Sequence, residues 1–284
     1  MNAKDVLAVV VSYNGLHKTR RTVDALRGQV GHVHIVDNGS AAESLNVLDV
    51  LEQEPGITVE RLGENRGVGH ALNLGMERAT QIGCSWLLTM DQDSVIDGSM
   101  IQAYQAAVER DPGLVCLSPC VTKNGRKEQA TTSVVGYAIT SGNLVRVSLF
   151  DQVGLYDEGF FVDCVDFDFS LRLRRAGYAV HRVSNAFMQH QLGEVNEVPS
   201  FLSRYYAEHS PVRRYYMSRN FLYMMERYLL RFPVFILKLA LSHLLLLVLI
   251  GIYDPSPLRS YRAIGKGIWD YLARRDGIYR ERPR

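Results

Sequence analysis

Between residues 6 and 90 short β-rich apolar runs alternate with helical patterns, and this rhythm restricts the fold more than any other feature of the chain. Runs at 6–12, 33–36, 57–62 and 86–90 read as strands. Stretches near 16–27, 43–51 and 68–82 read as helices, with Gly and Pro at the joins. Strand and helix in turn predict an α/β domain, a mainly parallel sheet flanked by helices on both faces. Such sheets bind ligands beyond the carboxyl ends of their strands. There the sequence places Tyr13-Asn14, Asp37-Asn38-Gly39-Ser40, Gly63-Glu64-Asn65-Arg66-Gly67 and Asp91-Gln92-Asp93. Any one cluster is ordinary turn chemistry. Four in succession, each at a strand exit, predict one polar edge.

Asp91-Gln92-Asp93 follows the apolar strand Trp86-Leu87-Leu88-Thr89-Met90 and sets two carboxylates at its exit. Paired hard oxygen ligands suit Mg²⁺ or Mn²⁺, which bridges diphosphate oxygens and offsets charge on a departing nucleotide. Gly67-Val68-Gly69 is no dinucleotide fingerprint, since Leu72 stands where the third glycine belongs and the motif follows the third strand. Glycines at a helix start also suit an anion, which the backbone N–H groups and the dipole favour.

Further on, Asp163, Asp166 and Asp168 precede Leu171-Arg172-Leu173-Arg174-Arg175. A helix beginning near Asp166 turns Phe167 and Leu171 inward and leaves an acidic first turn. A carboxylate there either complements the helix N-terminus or serves as a general base within reach of an acceptor hydroxyl. His190 stands alone beyond these acids.

The 284 residues suit one large domain or one domain with an appendage. Cys84, Cys116, Cys120 and Cys164 suggest a reducing compartment, and Cys116-x-x-x-Cys120 lacks the second ligand pair that zinc requires. No secretory signal pattern opens the chain. The net charge of +2 hides an asymmetry. Residues 1–210 hold 18 Lys+Arg against 25 Asp+Glu, and residues 211–284 hold 14 against 5, so an acidic body carries a basic tail. Within the tail, residues 234–252 are apolar except for Lys238, Ser242 and His243. Arg213, Arg214, Arg219, Arg227 and Arg231 precede the run, and Arg259, Arg262 and Lys266 follow it. Docking on an anionic membrane surface, a true span, and a buried or oligomer-forming helix are all open for such a segment.

As an ordered set these pieces resemble the family 2 inverting glycosyltransferases of the GT-A (nucleotide-diphospho-sugar transferase) fold. The resemblance rests on Val10-Val11-Ser12-Tyr13-Asn14, Val36-Asp37-Asn38-Gly39-Ser40, Asn65-Arg66-Gly67 with Asn73-Leu74-Gly75, Asp91-Gln92-Asp93-Ser94, the segment 163–172, and His190. The resemblance covers roughly residues 6–225 and implies a catalytic domain over 1–218; the basic, apolar character of the remainder leaves 219–284 as a helical extension expected to associate with the membrane. The implied nucleotide-sugar pocket contains Ser12, Tyr13, Asn14, Asp37, Asn65, Arg66, Gly67, Asn73, Asp91 and Gln92. The implied metal ligands for Mg²⁺ or Mn²⁺ are Asp93, Asp91 and His190. Most members carry Glu-Asp before the Leu-x-Arg helix, whereas this chain has Val165-Asp166. Asp166 is then the favoured base, with Asp163 in the role of the missing Glu. Tyr215-Tyr216-x-x-Arg219-Asn220 is expected either to close the acceptor side or to pack on the body.

Leu88-Thr89-Met90-Asp91-Gln92-Asp93-Ser94 and Phe161-Val162-Asp163-Cys164-Val165-Asp166 look like bacterial rhamnosyltransferases of O-antigen and related surface polysaccharides. The donor so implied is dTDP-L-rhamnose, and the acceptor a lipid-linked oligosaccharide on the cytoplasmic face of the membrane. Another dTDP- or UDP-sugar, or an inactive nucleotide-sugar-binding scaffold, is the alternative. No nucleic-acid partner is expected, and a homo-oligomer is compatible with the tail. Acceptor contacts are expected from the segments 120–135 and 193–211.

Overall fold

The computed structural model describes residues 1–121, 130–190, 206 and 208–279. Most of the two segments expected to meet the acceptor, 122–129 and 193–205 among them, lies outside the described residues. The order of elements is β1 (Val6–Ser12), α1 (His17–Leu26), β2 (His32–Asp37), α2 (Ala42–Glu52), β3 (Ile57–Arg61), α3 (Val68–Gln81) and β4 (Trp86–Asp91). Then come β5 (Ser94–Ile96), α4 (Met100–Arg110), β6 (Cys116–Val121), β7 (Thr132–Val135), β8 (Asn143–Arg146), α5 (Phe150–Val153), α6 (Val165–Arg175) and β9 (Val180–His190). Three helices follow, α7 (Pro211–Tyr228), α8 (Pro233–Tyr253) and α9 (Pro257–Leu272).

The strands lie in the order β3-β2-β1-β4-β8-β6-β9-β5, with β7 against β9. β3, β2, β1 and β4 are mutually parallel, as the alternation predicts. Beyond β4 the sheet is mixed: β8 runs antiparallel to β4 and β6, and β5 and β7 run antiparallel to β9. Every residue of β1 is buried, which is what a strand covered on both faces requires. On one face Val6, Ala8 and Val10 share a core with Val23 and Leu26 of α1, Leu48 and Leu51 of α2, and Met100 and Tyr104 of α4. Each such fully buried aliphatic side chain contributes roughly 1.5–3 kcal/mol. Cys116 and Cys84 are buried in the same domain, and burial pushes the Cys116 thiol up to about 12. No cysteine joins a metal-ligating cluster among the described residues.

The chain divides into two compact units, one comprising 1–157 with 165–191, the other 158–164 with 192–284. The boundary expected after residue 218 falls inside α7. In the second unit, Ser210 caps α7 by accepting from the Arg213 N–H at 3.3 Å, and Pro211 opens the helix where no N–H is needed. α7 and α9 pack closely at Gly267, where a Cβ would lie 2.3 Å from Ser218 Oγ and 2.5 Å from the Tyr215 carbonyl.

Candidate functional site

The four strand exits of the first unit are tied together by side chains reaching between loops. Gln92 pairs with the backbone of Tyr13 twice: the Tyr13 N–H donates to Gln92 Oε1 at 2.7 Å, and Gln92 Nε2 donates to the Tyr13 carbonyl at 3.0 Å. The fit explains Gly15, since a Cβ there would sit 2.4 Å from Gln92 Oε1. Asn14 adopts a left-handed φ of 54°, donates its N–H to Ser40 Oγ at 2.7 Å and accepts from the Ala41 N–H at 2.9 Å. Ser12 shares a buried 3.0 Å hydrogen bond with Thr19. The loop after β1 is thereby fastened to the loops after β2 and β4.

Asp37 ends β2 and is only 1% exposed. Its Oδ2 accepts from the Ser40 N–H at 3.1 Å, while the buried Oδ1 has no protein donor. An acceptor oxygen buried without a donor costs about 1–3 kcal/mol unless a ligand or water supplies one. Asn38 lies beside it, also buried, and spans to the third exit: Oδ1 accepts from the Arg66 N–H at 2.8 Å and Nδ2 donates to the Gly67 carbonyl at 3.1 Å. Asn65 Oδ1 in turn accepts from the Gly67 N–H at 3.0 Å. Asn73 sits deeper, on α3, and both ends of its amide engage the backbone of Tyr156 at 3.0 and 2.9 Å. It positions that segment.

At the fourth exit Asp91, Asp93 and His190 bring one ligand atom each within 4.8 Å of one another. Strand pairing supplies the histidine. β5 and β9 run antiparallel with Ser94 opposite His190, so a residue 96 positions away in sequence arrives beside the Asp-x-Asp turn. Ser94 Oγ bonds His190 Nδ1 at 2.7 Å, and Asp93 Oδ1 lies 3.9 Å from the same nitrogen. The hydrogen bond with Ser94 fixes the ring's orientation, as partners of metal-binding histidines do. Two carboxylates and an imidazole, all partly accessible, fit Mg²⁺ or Mn²⁺. From beneath, Ser141 Oγ accepts the Asp91 N–H at 3.2 Å, and Thr22 Oγ1 donates toward the carbonyls of Gln92 and Ser94 at 2.8 and 2.9 Å.

The three acids near α6 part company. Asp168 is 1% exposed and committed to Arg172 Nε at 2.8 Å. The same guanidinium donates to the carbonyls of Val153, Gly154 and Leu155 and so staples the chain ahead of the helix. Asp166 occupies the first turn of α6, half-buried, its Oδ1 accepting the Phe167 N–H at 2.9 Å. In the second unit Asp163 pairs with Arg213, with Nη2 at 3.0 Å and Nε at 3.3 Å. Phe161, Asp163 and Cys164 all have left-handed φ, at 64°, 59° and 68°. The buried side chains of Arg219 and Asn220 hold that turn. Asn220 Nδ2 donates to the carbonyls of Phe160, Val162 and Asp163 at 2.9, 2.6 and 3.0 Å, and Arg219 Nη2 donates to that of Gly159 at 2.8 Å.

Sequence reasoning left Asn38, Ser94, Thr22 and Ser141 out of the site. Asn38 had a signal, its place in the second polar cluster, and Ser94 closes the Asp91-Gln92-Asp93-Ser94 run; what defines Ser94, Thr22 and Ser141 in the site is partners 50 to 96 residues away in sequence.

Four fastened strand exits, an Asp-x-Asp turn with a facing histidine and a parallel half-sheet continued by antiparallel strands define a GT-A-like sugar-transferase fold. Residues 7–162 match Glycosyl transferase family 2, and the chain belongs to that family as a glycosyltransferase. It is 28% identical over 236 residues to the dTDP-rhamnosyl transferase RfbF of Shigella flexneri, covering 76% of this chain and 78% of that one. Among solved structures it resembles GalNAc-T7 with UDP, GalNAc and Mn²⁺ (TM-score 0.57, 16% identity, 65% of this chain). The match spans 43% of the GalNAc-T7 chain, less than half its length. It also resembles S. aureus TarS 1–349 in complex with UDP-GlcNAc (TM-score 0.53, 16% identity, 95% of this chain and 73% of that one).

Proposed function

We propose that this glycosyltransferase moves L-rhamnose from dTDP-L-rhamnose onto a lipid-linked saccharide in cell-surface polysaccharide synthesis, with inversion at the anomeric carbon. The observation that carries the reading is the convergence of Asp91, Asp93 and His190 at the β4 exit in a chain related to a dTDP-rhamnosyl transferase. Asp93 and His190, with Asp91, would hold a divalent ion whose charge offsets that of the departing diphosphate. Asp37, with its undonated buried oxygen, and the Tyr13 to Gln92 and Asn65 to Gly67 loops bind and orient the nucleotide. Gly67 and Gly69 at the start of α3 let a phosphate approach the positive end of that helix. Asp166 takes the proton of the acceptor hydroxyl as that oxygen bonds to the anomeric carbon and the bond from that carbon to the diphosphate oxygen breaks. It stands half-buried in the first turn of α6, and geometry, a carboxylate within hydrogen-bond reach of the acceptor hydroxyl, is what the role requires.

The test measures thermal stabilisation by dTDP, dTDP-rhamnose, UDP and UDP sugars, each with Mn²⁺ or Mg²⁺ and with chelator, followed by transfer assays. A metal-dependent shift largest for the dTDP ligands is expected. A larger shift with a UDP sugar replaces the donor, and no shift with any of them overturns the reading.

A further inference from the structure

The second unit carries an apolar surface that the transfer chemistry does not use. α8 is the single helix among the described residues long and apolar enough to cross a membrane. At 21 residues it is about 30 Å long. Its two sides differ. Inward, Leu246, Leu249 and Ile250 pack with Tyr206, Met217 and Ile264, and His243 stacks on Phe221 of α7 with ring centroids 4.3 Å apart. Outward, Val234, Leu237, Leu241, Leu244, Val248 and Ile252 are each more than half exposed. Their spacing of three, four, three, four and four residues places them on one stripe.

α9 repeats the arrangement with Leu258, Tyr261, Ile268, Trp269 and Leu272 exposed along one side. The two stripes meet. Tyr261 Oη donates to the Leu247 carbonyl of α8 at 2.6 Å and lies 3.0 Å from where a Cβ on Gly251 would be. Eleven exposed apolar residues thus form a contiguous patch of the size that marks an interaction site. Exposed Lys238, Arg259 and Arg262 border it. The nearby acids are turned to internal use: Asp254 caps α9 through the Ser256 N–H and Ser260, Asp270 pairs with Lys266, and Glu226 with Arg274.

We propose that the outward stripes of α8 and α9 are one docking surface for an anionic lipid bilayer, with α8 lying along the membrane instead of crossing it. A span would have to strip α8 from α7 and expose His243 and Ser242 to lipid, whereas surface docking buries only the side that has no protein partner. The border charges choose lipid over a second copy of the chain. Self-association of this face would bring cations against cations, and anionic headgroups complement them. Trp269 and Tyr261 suit the headgroup level. The surface is independent of which sugar is transferred.

The test uses the full-length protein and sedimenting vesicles of phosphatidylcholine, with or without phosphatidylglycerol. Wild type should pellet with the anionic vesicles and be weakened by salt. Leu237→Glu/Leu241→Glu/Val248→Glu, which alters exposed positions only, should reduce binding roughly tenfold or more while unfolding at the wild-type temperature. Arg259→Gln/Arg262→Gln should lose the preference for anionic lipid. Alkaline carbonate should release the protein from cell membranes. Retention in the carbonate pellet overturns the proposal in favour of a span. Undiminished pelleting of the triple variant, or a wild-type dimer that the triple variant abolishes without any lipid binding, overturns it as well.

Discussion

Asn220→Ala tests whether the turn at 160–164 is held by side chains of α7. Asn220 is fully buried, and its amide group donates to three carbonyls of the turn while its Oδ1 accepts from Arg219 at 3.0 and 2.9 Å. Two amide protons bonded to carbonyls are worth about 1 kcal/mol each, and the pair with the guanidinium roughly 1.5–3 kcal/mol. Their loss comes to about 4 kcal/mol. Three non-glycine residues in the left-handed region store about 1–2 kcal/mol apiece, so without the amide the turn has reason to relax. Local opening should therefore precede global unfolding. Urea unfolding measures the global loss, and amide hydrogen exchange at 160–164 measures the local one. Asp166 follows two residues after the turn, so turnover should fall while the dTDP-induced thermal shift persists. A variant that loses under about 1 kcal/mol and exchanges at 160–164 like wild type refutes the clamp.

Asp93→Ala and His190→Ala should each remove the metal-dependent thermal shift and lower transfer by roughly a hundredfold or more, measured with saturating donor. Asp166→Asn should abolish transfer while leaving donor affinity intact; Asp163→Asn, which breaks a partly exposed pair with Arg213, should cost at most about 1 kcal/mol and retain measurable turnover. Burial, with Arg213 and Arg214 nearby, lowers the His209 pKa to about 4 from its ordinary 6.5. The unfolded chain therefore takes up that proton first, and stability present above pH 6.5 should fall by about 2 kcal/mol as the pH drops toward 4, a slope that His209→Asn removes in acid titrations of unfolding.

The parallel half of the fold was legible because each of its elements is defined locally. β1 to β4 and α1 to α3 fall within a residue or two of the runs that predict them, and the polar cluster after each strand lands where the topology sends it. The other half depends on pairings that skip along the chain. β8 inserts between β4 and β6, and β9 joins β6, β7 and β5, so no periodicity announces the antiparallel turn of the sheet. The site divides the same way. Asp91 and Asp93 are visible as a strand exit, whereas the reciprocal hold of Gln92 on Tyr13 spans 79 residues. Spacing alone does not separate Asp166, Asp168 and Asp163, and the resemblance that favours Asp166 says nothing of their partners, the Phe167 N–H, Arg172 and Arg213.

The pairing of Ser94 with His190 also gives the sheet a means of checking its own assembly. Side chains on a strand change face with each residue, so a slip of β9 by a single position would turn His190 away and bring Gln189 or a neighbour opposite Ser94. A misaligned chain would still bury most of its apolar residues, but it would lack the imidazole beside Asp91 and Asp93. Affinity for a divalent ion would then discriminate between correctly and incorrectly zipped sheets, so that the register of β9 against β5 is selected by the chemistry it completes.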